Sequence, residues 1–168
     1  MLTDAAIREN IPHLRRYARA LTGNREAADD LVQDTLERAL TRAALFRPGG
    51  NPRPWLFTIM HNLFVNQVRS AAVRKTMQLD PAAAGPAVAD TAQDGLAVRD
   101  IERALQLVPA DQREVVLLVG LEDFSYEQTA RIAGIPVGTV MSRLSRGRDR
   151  LRALLTGDAD ALPLKVIK

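Results

Sequence analysis

The chain has no cysteine, only two histidines and few aromatic residues, 4% of its 168 positions. Without cysteine there can be no disulfide framework, thiolate zinc site or cysteine nucleophile. His13 and His61 stand far apart, with no H-x-x-x-H or H-E-x-x-H spacing, so no metal site is expected. No apolar run approaches the roughly 18–20 residues that cross a bilayer. The opening MLTDAAIREN also lacks the basic and apolar regions of a signal peptide. A cytoplasmic protein with no membrane insertion is expected. No phosphate loop, nucleophile elbow or paired-carboxylate arrangement is present, so neither an enzyme nor a cofactor is expected.

What is present is helical. Long alternation of β-branched residues is missing, while apolar residues recur every three or four positions almost throughout. The net charge of +3 hides an uneven distribution. From Arg38 to Leu79 there are seven basic residues and no acid. Between Val137 and Arg152 five arginines face one acid, Asp149, whereas residues 1–37 carry seven acids against five bases. Two basic zones beside an acidic one point to two contacts with a polyanion and one with a basic partner.

The stretch Asp80–Gly95 is rich in Ala, Pro and Gly, with Val88 its one bulky side chain, and reads as a flexible linker. The expected organisation is all-α, with two small helical domains at 1–77 and 96–156, a linker at 78–95 and a tail at 157–168. In the first domain Pro12 suits a helix first turn. Ile11, Leu14, Ala18 and Leu21 form its apolar stripe, Gly23 ends it, and Asn24 can cap a second helix through Ala43. Phe46–Pro52 reads as a loop. A third helix from near Pro54 buries Trp55 or Leu56, Ile59, Leu63 and Val68. In the second domain two helices, 96–108 and 110–119, precede Ser125-Tyr126-Glu127-Gln128, a capping-box pattern. Gly134 stops that short helix and Pro136 opens a longer basic one, which makes a helix-turn-helix over about 126–145.

On the last helix Val140, Leu144, Gly147, Leu151 and Leu154 share the packed face. Thr139, Ser142, Arg143, Arg146 and Arg150 lie on the adjoining one, a combination suited to guanine edges and phosphates; the plain alternative is a solvated basic helix. The segment around Arg53, Trp55, Phe57, Asn62, Phe64, Asn66, Arg69, Arg74 and Lys75 mixes aromatics that can stack on unpaired bases with amides that read base edges and cations that hold the backbone. Taken singly, Trp55 and Phe64 read as core residues before base-stacking ones. On the second helix Glu26, Asp30, Gln33 and Glu37, with Asp29 and Asp34 at the margins, make an acidic stripe three turns long, beyond the reach of the helix dipole. That stripe meets a basic or amide-rich protein surface or is simply solvated.

These segments resemble the extracytoplasmic-function group of the sigma-70 family, which keeps regions two and four joined by a linker. The likeness covers nearly the whole chain. It rests on Asp29-Asp30-Leu31-Val32-Gln33-Asp34-Thr35-Leu36, on Pro54-Trp55-Leu56 with Asn62, and on Ser125-Tyr126-Glu127-Gln128-Thr129-Ala130 followed by the run from Gly134 to Arg148. The resemblance implies that the acidic helix, Leu31 included, docks on the clamp helices of the largest subunit of RNA polymerase core. It implies that the loop Phe46–Arg53 and the helix after it open and read the minus-ten element as single strands, with a base flipped into a pocket near the loop. It also implies that the last helix reads the minus-thirty-five element as duplex promoter DNA, and that an anti-sigma factor is a partner. Two departures stand out. Asn66-Gln67-Val68-Arg69-Ser70 replaces the family's D-x-x-R-R, and Gly147 replaces its usual Ala, a change that by helix propensity alone weakens the helix by up to about 1 kcal/mol. Two competing readings are a helix-turn-helix regulator and a sigma mimic that sequesters an anti-sigma factor.

Overall fold

A computed structural model describes residues 1–77 and 96–157; the expected linker and the tail beyond Gly157 lie outside the described residues. Within them the chain is all-α, with seven helices, one short 3-10 turn and no strand.

Helix α1, Asp4–Thr22, starts where Thr3 accepts a hydrogen bond from the Ala6 N–H at 3.2 Å, with Asp4 favourably placed in the first turn. Pro12, expected at a helix start, lies inside α1 instead. Its ring removes only one intrahelical donor. Buried Ile7 before it and Leu14, Tyr17, Ala18 and Leu21 after it carry the helix across on one packed face. Gly23 ends α1 in the left-handed region at φ 66°, donating to the Arg19 carbonyl. Asn24 then caps α2, Arg25–Thr41, by accepting from the Ala27 N–H. After a 3-10 turn at Ala43–Leu45, α3 runs over Pro52–Met77. It begins two residues before the expected Pro54, because Pro52 itself suits a first turn and Asn51 accepts from the Arg53 N–H. Leu56, Phe57, Ile59, Met60 and Phe64 line its buried side. Val68, expected in the core, is exposed, as is every residue from Asn66 to Met77, because no described element covers α3 there.

In the second half α4, Leu96–Leu107, and α5, Ala110–Gly120, precede α6, Tyr126–Ala133, and α7, Val137–Thr156. The capping box at Ser125 is complete: Ser125 accepts from the Gln128 N–H, and the Gln128 side chain accepts from the Ser125 N–H. Gly134 closes α6 at φ 64° and donates to the Ala130 carbonyl. A small core of Val115, Ala130, Val140 and Leu144 holds α5, α6 and α7 together.

The two halves share a larger core. Leu14, Tyr17, Leu31, Phe57 and Met60 from the first half join Leu105, Leu118, Phe124 and Ile132 from the second. Phe57 packs edge-on against both Tyr17 and Phe124, with ring centroids 5.1 and 5.0 Å away. Arg113 closes the top of this contact. It donates to the carbonyls of Leu105, Gln106 and Val108, the unsatisfied end of α4, and across the boundary to Leu21 at 2.8 Å. Its burial there lowers its pKa. Gln106 lies over Gly23 and donates to the Ala20 carbonyl, so a Cβ at Gly23 would come within 2.4 Å of it.

Gly147 proves to be a contact requirement rather than a weakness. A Cβ there would meet Val116 Cγ2 at 2.7 Å and both Gln112 Cβ and its carbonyl oxygen at 3.3 Å. Gly147→Ala is therefore expected to lower stability by about 1–3 kcal/mol through overpacking, against a helix-propensity gain of only about 1. Urea unfolding measures the loss, and a companion Val116→Ala should restore part of it.

Candidate functional site

Helix α7 presents the side chains expected to meet duplex DNA. Arg146 is exposed, while Thr139, Ser142, Arg143 and Arg150 are half-buried along the same edge. Ser142 donates to the Thr139 carbonyl, and Arg143 is held 3.6 Å from Asp111 of α5. Packing through Val140, Leu144 and Gly147 turns this edge outward.

The second group is split by the fold. Asn62, Asn66, Arg69, Arg74 and Lys75 are all exposed along α3. Trp55 is half-buried and packs edge-on against Phe46 of the preceding loop, 5.2 Å between centroids. Phe57 and Phe64, counted among the base-stacking aromatics, are buried in the core and cannot reach a base. Arg53 points toward the second half, where its Nη2 donates to a carboxylate oxygen of Glu122 at 2.8 Å and to the Glu122 carbonyl at 2.7 Å.

On α2 the acidic stripe is exposed at Asp29, Asp30, Gln33, Asp34 and Glu37. Leu31, expected at the same surface, is fully buried and anchors the helix from behind. Asp29, Gln33 and Glu37 form one wall of a groove of about 750 Å³ whose opposite wall carries Arg15 and Arg19 of α1, with Leu36 on its floor. The groove thus carries both signs of charge.

Sequence reasoning missed the polar boundary between the halves. Two buried carboxylates from the second half, Glu114 and Glu122, face cations and both histidines from the first. Glu122 receives Arg16 Nε and Nη2 on one oxygen, at 3.1 and 3.0 Å, and Arg53 on the other, with His13 Nδ1 3.3 Å away. Glu114 is paired with His61. Tyr17 lies between the two acids. Burial first, then their charges and a hydrogen bond to Glu114, push its phenol well above its usual pKa and keep it neutral. The signal was visible: Glu114 and Glu122 flank the apolar run Val115-Val116-Leu117-Leu118-Val119, a context in which an acid is buried only if paired. Among the described residues no helix is long and apolar enough to cross a membrane, and no cluster of potential metal ligands occurs.

A capped helix-turn-helix joined to a helical unit with an acidic stripe on α2 fits a sigma-type promoter-recognition protein, and comparison with known proteins agrees. Residues 7–61 match the sigma2 domain of PhyR, and residues 99–151 match sigma-70 region 4. The ECF RNA polymerase sigma factor EcfG of Rhodopseudomonas palustris is 43% identical over 152 residues, covering 88% of this chain and 82% of that protein. Among solved structures, the sigma factor RpoE of Bartonella quintana, in complex with the anti-sigma factor NepR, is 38% identical with TM-score 0.77, covering 88% of this chain and 92% of that one. The PhyR fragment bound to NepR from Sphingomonas sp. Fr1 shares the fold at TM-score 0.67 but only 21% identity, covering 92% and 90%. The chain belongs to the extracytoplasmic-function group of RNA polymerase sigma factors. It directs RNA polymerase to promoters, and its family is not enzymatic.

The capping box sets how firmly the helix-turn-helix is held. Ser125→Ala should cost about 1 kcal/mol. Thermal unfolding would register a fall of about 2–4 °C, and duplex binding should weaken with it while polymerase binding does not.

Proposed function

We propose that the three exposed surfaces divide the work of promoter selection. The unit 1–77 docks on the clamp helices of the polymerase largest subunit through Asp29, Asp30, Gln33, Asp34 and Glu37. It opens and reads the minus-ten element as single strands through Arg53, Trp55, Asn62, Asn66, Arg69, Arg74 and Lys75. The unit 96–156 reads duplex DNA at the minus-thirty-five element through Thr139, Ser142, Arg143, Arg146 and Arg150. The protein acts in the cytoplasm, without metal or cofactor, as an alternative sigma factor responding to a stress or signal, and an anti-sigma factor like those bound to its structural relatives holds it inactive.

The observation that carries this reading is the outward edge of α7, where an exposed Arg146 follows a fully capped α6 and an αL Gly134. Arginine on a helix so presented meets guanine edges and phosphates. The sigma mimic earns a hearing because residues 7–61 match the sigma2 domain of PhyR. Identity favours the sigma factor, at 43% with EcfG against 21% with the PhyR fragment, and a mimic has no use for Arg146.

The test is promoter-dependent transcription by the purified chain with sigma-free polymerase core. Core binding without DNA binding would favour the mimic, and no core binding would end the proposal. Arg146→Ala should weaken promoter binding about ten-fold, in line with 1–3 kcal/mol per base contact, and leave core affinity intact. Asp30→Arg should do the reverse.

A further inference from the structure

Arg53 is claimed by two anions. In the reading above it faces promoter DNA, yet in the structure its guanidinium is held by Glu122, which is wholly buried. We propose that Glu122 is an internal stand-in for a DNA phosphate: it latches the two halves together by occupying Arg53, and nucleic acid opens the chain by replacing it. This inference rests on the proposed role of Arg53 in DNA contact.

Three observations carry it. The first is chemical. Among the described residues, every cation on the Glu122 carboxylate comes from the first half: Arg16 and His13 from α1, Arg53 from α3. Carboxylate and phosphate oxygens both accept the same paired N–H groups of a guanidinium, so an incoming phosphate can take over what Glu122 holds. The second is that the closed contact uses Arg53 incompletely. Nη2 serves both the Glu122 side chain and its carbonyl, and the guanidinium stacks 4.8 Å from the Phe124 ring centroid, but its Nε–H is buried with no partner. Once the halves part, a phosphate can accept from Nε and Nη2 together. Arg16, by contrast, gives Glu122 both Nε and Nη2 and also donates to the Leu121 carbonyl, with half its side chain in solvent. Arg16 thus spends its whole fork on Glu122, whereas Arg53, held by shorter contacts through one nitrogen, keeps its Nε–H for another acceptor.

The third is dimensional. Promoter elements whose names set them about 25 base pairs apart lie about 85 Å apart along duplex DNA at 3.4 Å per pair. A compact chain of this length has a radius of gyration of about 15 Å and is about 40 Å across. The closed body cannot touch both elements, so a contact that closes it opposes promoter engagement, and Arg53 is the one proposed DNA-contacting residue whose ion pair crosses between the halves.

The absence of native cysteine makes the test clean. Ala5→Cys and Leu155→Cys, both exposed and on opposite halves, carry a donor and an acceptor dye in the full chain. The chain is titrated at low salt with a random-sequence single-stranded 30-mer, with circular dichroism to confirm folding. In the otherwise native chain, energy transfer should fall as DNA is added. Glu122→Gln and Arg16→Ala should lower transfer before any DNA is present and shift the DNA half-point at least five-fold lower. Arg53→Ala should also open the chain but bind DNA at least five-fold more weakly than Arg16→Ala. If Glu122→Gln does not fold, Arg16→Ala decides the question alone. Transfer that stays high in Arg16→Ala overturns the latch, as does an unchanged DNA half-point. Equal DNA binding by Arg53→Ala and Arg16→Ala would show instead that Arg53 does not contact DNA. Core binding by the native chain, measured separately, tests the sigma-factor reading itself and does not depend on any of these results.

Discussion

Glu122 places a negative charge where water cannot reach it, and the rest of the arrangement follows from how that charge is satisfied. An unpaired carboxylate in such a site would be too costly to keep. Among the described residues the second half supplies no cation to it, so Glu122 is buried against α1 and α3 of the first half. Glu114 and His61 repeat the same logic one step along the boundary. Apolar contact alone, Phe57 on Phe124 for instance, tolerates sliding. Two carboxylates that must each find particular partners fix the register of one half on the other.

Within each half, close contacts aim the functional edges. The approach of α5 to α7 at Gly147 sets the rotation of α7, and Asp111 lies 3.6 Å from Arg143 along its outer edge. Leu31 and Val32 pin α2 from below so that its acids stand on the far side. The outward edge of α7 and the acidic stripe of α2 are therefore by-products of packing decisions made in the core.

Local chemistry was legible in the sequence, and partnership across distance was not. Gly23, Asn24, the Ser125 capping box, Gly134 and the packed stripe of α7 stand as read, because each depends on neighbours within four residues. Pro12 misled because its tolerance inside α1 depends on tertiary support from Ile7 and Leu14. Val68 looked buried by periodicity but has nothing to pack on, and Phe57 looked like a base-stacking residue because an aromatic on a basic helix reads the same whether it faces core or solvent; Phe64, read singly as core, is buried there. The acidic stripe of α2 was legible, while Leu31 within it was assigned to the surface by resemblance when its helical position puts it inside. Arg53 was singled out, but its bond to Glu122 joins residues 69 positions apart and leaves no local trace.

Helix α3 joins these two levels. It is unbroken from Pro52 to Met77, with its first half wedged in the boundary and its last three turns in solvent. From His61 to Lys75 the rise is about 21 Å, so a tilt of about 10° at the boundary swings the exposed end by about 4 Å. A stiff rod with its fulcrum among the buried acids and its free end among Asn66, Arg69 and Lys75 converts a small change in how the halves meet into a displacement comparable to one nucleotide step.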